Sequence, residues 1–110
     1  MTLIRYQGAT PVDVTIQRVR TMLYAPGVCA DDRQVNLRYL IGTAGPVRLE
    51  IFDIAGRKLR SLDRAYRNSG EHRETWDRLD VSGRPVARGV YLVRLVARDA
   101  QISRKLTILR

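Results

Sequence analysis

Residues that do chemistry are scarce in this 110-residue chain: it holds one histidine, His72, and one cysteine, Cys29. A lone histidine excludes a histidine-rich metal site. A lone cysteine excludes an internal disulfide. Cys29 reads as a small buried hydrophobe, with a mixed disulfide to a partner chain left open in an oxidising compartment. No GxSxG elbow, phosphate-cradling glycine loop, CxxC or HExxH is present. The inventory therefore points to no enzyme, cofactor or metal. His72 falls at the start of an expected strand, where packing or exposure is its expected role. Aromatic rings are few, with one Trp, one Phe and five Tyr. That is little for the stacking platforms a single-strand binder or sugar module uses, and Trp76 is expected in the core. No apolar run approaches the roughly 18–20 residues of a membrane-spanning helix. The opening MTLIRYQGATPVDV has no stretch of signal-peptide length. Two arrangements stay open: a cytoplasmic chain, or an extracytoplasmic one whose leader or larger parent lies outside this sequence.

Lysine is scarce too. Of the 20 basic residues 18 are Arg and only Lys58 and Lys105 are Lys, for a net charge of +9. These charges are scattered. Arg38, Arg48 and Arg94 alternate with apolar residues inside expected strands, which places them on solvent faces. Scatter speaks against nucleic acid as the partner and leaves peripheral contact with an anionic surface as an open reading.

The rhythm of the apolar residues is two. Val12, Val14 and Ile16 predict a first strand near 12–19. Val35, Leu37, Tyr39 and Ile41 share one face of a second, and Val47, Leu49 and Ile51 one face of a third. Tyr91, Val93, Leu95 and Ala97, then Leu106 and Ile108, mark two more. Shorter extended pieces fit 57–62 and 71–76. About seven antiparallel strands divided by turn residues predict an all-β, immunoglobulin-like sandwich. Over 17–24, QRVRTMLY also fits a helical turn.

Turns carry the most specific local chemistry. DIAGRKL and DVSGRPV repeat one device, Asp53 to Gly56 and Asp80 to Gly83, each followed by Arg. An Asp at the first turn position accepts bonds from the following amides. A Gly at the fourth tolerates positive φ. The first closes a hairpin, and the second is expected as a longer corner. NSG at 68–70 and AGP at 44–46 mark further corners. Asp77 and Asp80, with Asp53 near, offer oxygens for calcium, but their spacing matches no EF-hand loop and turn capping accounts for them. Asp31 and Asp32 read as a loop or the start of a strand.

In order, VRLEIFDIAGRKLRSL, WDRLDVSGRPVARGVYLVRL and the basic ending RKLTILR resemble the FlgD-like immunoglobulin domain, named for the flagellar hook-capping protein. They are also similar to the C-terminal sorting domains of type IX secretion substrates. The resemblance runs over 22–110. Asp53, Gly56 and Arg57 fit its first turn, Trp76 and Asp77 its Trp-Asp pair, Asp80, Gly83 and Arg84 its second turn, and Gly89, Val90 and Tyr91 its Gly-Val-Tyr. Two departures stand out: Arg78 replaces the Gly that usually follows Trp-Asp, and YAPGV keeps only Pro26 of the family's Pro-Asn-Pro entry. Residues 1–21 have no counterpart and read as an N-terminal arm or extra strand. The resemblance implies a non-catalytic attachment or sorting module, extracytoplasmic and terminal in a bacterial surface or secreted protein, with Arg104, Lys105 and Leu106 as its sorting or docking element. Its partner would be another protein or a larger assembly. Two other readings remain: a stand-alone structural subunit docked on such an assembly, and an Arg-rich anion-binding module.

Overall fold

The computed structural model describes residues 20–30 and 34–109. The strand expected near 12–19 and the Asp31–Asp32 pair lie outside them. Eight strands are described: β1 (Met22–Tyr24), β2 (Val28–Cys29), β3 (Val35–Ile41), β4 (Gly45–Asp53), β5 (Lys58–Arg67), β6 (Gly70–Trp76), β7 (Gly89–Val96) and β8 (Gln101–Ile108). They form two sheets, β1-β3-β6 and β2-β8-β7-β4-β5. The fold is the expected all-β, immunoglobulin-like sandwich.

The two-residue rhythm is what closes it. In β3, Val35, Leu37, Tyr39 and Ile41 are buried while Asn36, Arg38 and Leu40 turn outward. In the opposing sheet Val47, Leu49 and Ile51 of β4, Tyr91, Val93 and Leu95 of β7, and Leu106 and Ile108 of β8 face them across one core. Each large apolar side chain so buried is worth about 1.5–3 kcal/mol over its exposed state. Ala97 ends just past β7 and is only half-buried.

Three elements depart from the sequence expectation. Residues 22–24, where a helical turn was an option, form a strand on β3, pairing Leu23 with Tyr39. The chain then changes sheets: after Pro26–Gly27, β2 pairs in parallel with the end of β8. Proline lacks the N–H that a continuing ladder needs, so the switch falls there. Both strands are too short to show alternation. The third departure is β5, expected over 57–62 and found to run to Arg67. Two bulges opposite Leu49/Glu50 and Ile51/Phe52 break its phase. Its inward positions beyond them include the polar Asp63 and Arg67, so no apolar rhythm marks the strand.

Gly45 opens β4 under the side chain of Arg98. A Cβ there would meet Arg98 Nε at 2.8 Å and its Cβ at 3.2 Å.

Candidate functional site

The two Asp-to-Gly turns share one geometry. Asp53 N–H donates to the Arg57 carbonyl (3.0 Å) and Gly56 N–H to the Asp53 carbonyl (3.0 Å); the second site repeats this with Asp80, Arg84 and Gly83 at 2.8 and 2.9 Å. Asp53 Oδ1 accepts from the amides of Ala55 and Arg57. Asp80 Oδ1 accepts from those of Ser82 and Arg84 and from the Ser82 hydroxyl. Gly56 and Gly83 take φ of +89° and +84°, which glycine alone adopts without strain. The second turn is thus as tight as the first and closes a bridge between Leu79 and Pro85, rather than the longer corner expected. The longer passage is the whole connection 77–88 in which it sits.

These bonds occupy the carboxylates. The Arg57 amide, joined by its guanidinium, holds Asp53 below the usual carboxylate range. Ser82 and the Arg84 amide do the same for Asp80. Asp77 is lowered first by Arg60, whose Nη1 lies 2.8 Å from Oδ1, then by the Leu79 amide. Each acid is engaged by its own surroundings, and among the described residues no three His, Cys, Asp or Glu gather as a metal site.

Trp76 is fully buried; its Nε1 donates to the Leu79 carbonyl (2.9 Å), which also accepts from Arg60. Its ring meets Tyr91 edge to face, centroids 6.0 Å apart. The Tyr91 hydroxyl donates to its own upstream Ala87 carbonyl, a tie of the kind seen in immunoglobulin-like sandwiches. Gly89, at φ +149°, opens the strand that carries Tyr91. Arg78 stands at φ +66°: the backbone keeps a left-handed conformation suited to glycine although the residue is arginine.

A polar cluster that the sequence reading missed lies inside the sandwich. Asp63 of β5, 6% exposed, accepts the Tyr39 hydroxyl from the opposite sheet and a two-pronged pair from Arg67, Nε at 2.9 Å and Nη2 at 2.8 Å. Burial alone would push the Asp63 pKa up, but the bonds from Arg67 and Tyr39 carry it below the usual range. Burial and the neighbouring Asp63 push Tyr39 up. Burial, then Asp63, raise Glu74. His72 stacks on the Tyr39 ring at 5.3 Å, and its Nε2 lies 2.8 Å from the Asn68 carbonyl. The available signal was spacing: Asp63 and Arg67 stand four apart in an extended segment and so share a face.

The three residues marked for docking have different surroundings. Leu106 is fully buried in the core. Arg104 reaches across to the other sheet, Nε to the Leu23 carbonyl at 3.3 Å. Lys105 is exposed on the outer face. Cys29, in β2, is half-buried against the core.

The family model described as FlgD Ig-like domain matches residues 28–101. Among solved structures, dimeric latent PorU from Porphyromonas gingivalis aligns with a TM-score of 0.61 at 22% identity, over 91% of this chain and 10% of that one. PorZ, an essential bacterial surface component of the type-IX secretion system of the same organism, aligns at 0.53 and 21% identity, over 82% and 11%. FLGD from P. aeruginosa aligns at 0.58 and 16% identity, over 78% and 70%. The chain therefore spans about a tenth of the length of PorU and PorZ, and at these identities the likeness is one of fold. No curated protein matches the sequence.

Proposed function

Because this chain belongs to the FlgD Ig-like domain family, we propose that it is a non-catalytic attachment or sorting module of a bacterial surface or secreted protein, working outside the cytoplasm through contact with another protein. The observation that carries this reading is that the same fold forms about a tenth of PorU and of a type-IX secretion surface component. There the module is a small part of a much larger chain. A second reading, a structural subunit docked on an assembly, is favoured by FLGD, where the match covers 70% of the neighbour.

In the sorting form of this reading, β8 is the recognised element, and the three residues separate by burial. A change at Leu106 removes a core side chain and tests folding. A change at Arg104 removes the tie to Leu23. Lys105 alone reads recognition with the fold intact.

The test is to fuse the chain behind an exported reporter in a bacterium that has type IX secretion. The expected result is reporter on the cell surface, lost in a strain without that system and reduced by Lys105→Glu. A reporter that stays behind in every strain while the fused domain is folded would defeat the sorting form. Recovery of the chain in a stoichiometric complex would then support the subunit reading.

A further inference from the structure

The outer face of the five-stranded sheet is charged, and most of that charge is already engaged. Glu50 points outward yet is only 2% exposed, because Lys58 Nζ (3.4 Å) and Arg48 Nη1 (3.8 Å) lie against its carboxylate. The Arg94 guanidinium rests on the Phe52 ring, 4.3 Å from its centroid. One end of the face is different. There Arg48, Arg64 and Arg98 surround a shallow groove of about 680 Å³, floored by Pro46 and Val96 and flanked by Tyr66. No acidic residue lines it. Arg48 and Arg64 stand directly opposite each other on neighbouring strands, an arrangement that is destabilising for like charges. Among the described residues, no carboxylate lies within ion-pair distance of Arg64 or Arg98.

We propose that this groove binds an acidic, extended peptide segment of a partner protein, its carboxylates on Arg64 and Arg98 and an intervening apolar side chain on Pro46 and Val96. Guanidinium forks match carboxylates with two bonds each, which suits arginine better than lysine here. Tyr66, 64% exposed, adds a ring for the apolar part. The groove runs across β5, β4 and the end of β7, so an extended chain laid over it turns its alternate side chains toward the arginines and the apolar floor. A uniform polyanion such as DNA or a sulfated glycan fits less well. The groove's arginines are gathered at one end of the face, and the floor there is apolar.

Arg98 is also held in place: its side chain packs over Gly45, where a Cβ would strike Nε at 2.8 Å. The glycine thus aims a charge without carrying one.

This inference rests on the attachment reading only in taking a protein as the partner. The test titrates the full chain with an eight-residue peptide alternating Glu and Val, a Gln-for-Glu control, heparin and a DNA oligonucleotide. The Glu peptide is expected to bind, to weaken steeply with salt, and to exceed the Gln control by at least about tenfold, two charge-assisted pairs being lost in the control. Arg64→Glu and Arg98→Glu should each reduce binding about tenfold or more by the same measure. Gly45→Ala should weaken it several-fold with net charge unchanged. Arg84→Glu, in the second turn, should leave it unaltered. Equal binding of the Glu and Gln peptides overturns the proposal, as does binding indifferent to Arg98→Glu and Gly45→Ala. Heparin or DNA binding through these arginines while the peptide does not bind overturns it as well. A partner whose attachment depends on Lys105 and ignores the groove variants would overturn the groove and leave the attachment reading standing.

Discussion

Tyr39 and Asp63 tie the two sheets together: a hydroxyl on β3 donates to a carboxylate on β5 inside the sandwich. Arg67, two-pronged on the same carboxylate, completes its coordination. An amide in place of the carboxylate keeps one acceptor oxygen and turns an NH2 toward donors, so either the buried hydroxyl or part of the guanidinium loses its acceptor. Asp63→Asn is expected to cost about 2 kcal/mol at pH 7 by urea unfolding, the range for a buried polar group left unsatisfied. The folded state holds Asp63 below its ordinary value of 3.8, so its stabilisation is present above that pH and fades as pH falls through the lowered value. The gap between wild type and variant should therefore narrow below about pH 4. A gap unchanged at pH 3 would mean that the carboxylate charge is not what matters.

Glu74 responds in the opposite sense. Burial and the nearby Asp63 raise its pKa above 4.5, so the folded state binds the proton more tightly than the unfolded one, and ionisation at neutral pH opposes folding. Glu74→Gln should raise Tm at pH 7 and leave it unchanged at pH 3.5. A fall in Tm at pH 7 would show that Glu74 makes a net favourable contact.

Arg78 holds a glycine's conformation. Its φ of +66° costs a side-chain-bearing residue about 1 kcal/mol, partly offset by the greater freedom glycine gains in the unfolded chain. Arg78→Gly is expected to stabilise by up to about 0.5 kcal/mol in thermal unfolding. Arg78→Ala, which keeps the Cβ, should not. Equal effects from both would trace the change to the arginine side chain.

Thr21 joins three elements. Its Oγ1 accepts from Gly42 N–H at 2.9 Å, in the turn after β3, and donates to Asp99 Oδ1 at 2.7 Å, in the hairpin between β7 and β8. Thr21→Val keeps the shape and loses both bonds, for an expected loss of about 1–2 kcal/mol. Deleting residues 1–20 should leave a folded β domain by circular dichroism, while extending the deletion through Thr21 should lower Tm further. Collapse of the shorter deletion would make the preceding residues integral to the sandwich.

How legible a feature was depended on how local its cause is. Val35 to Ile41 and Val47 to Ile51 announce their strands because alternate residues meet one core. Asp53 and Asp80 announce their turns because each bonds amides within four residues of itself. β5 was half hidden, since its bulges shift the phase and its inward residues are a carboxylate and a guanidinium. The arginines at 48, 64 and 98 gave no hint of a cluster. In sequence they are scattered, and strand pairing across β4, β5 and β7 is what gathers them.

The sequence by itself determined the layered all-β architecture and its tight corners. Two-residue alternation and side chain to nearby amide bonding need nothing beyond the local chain. Tertiary structure alone decided which strand β2 pairs with, the acceptor for Tyr39 and the groove over Pro46. Each of these depends on which distant strands lie side by side, and that pairing follows from closing one core between two sheets.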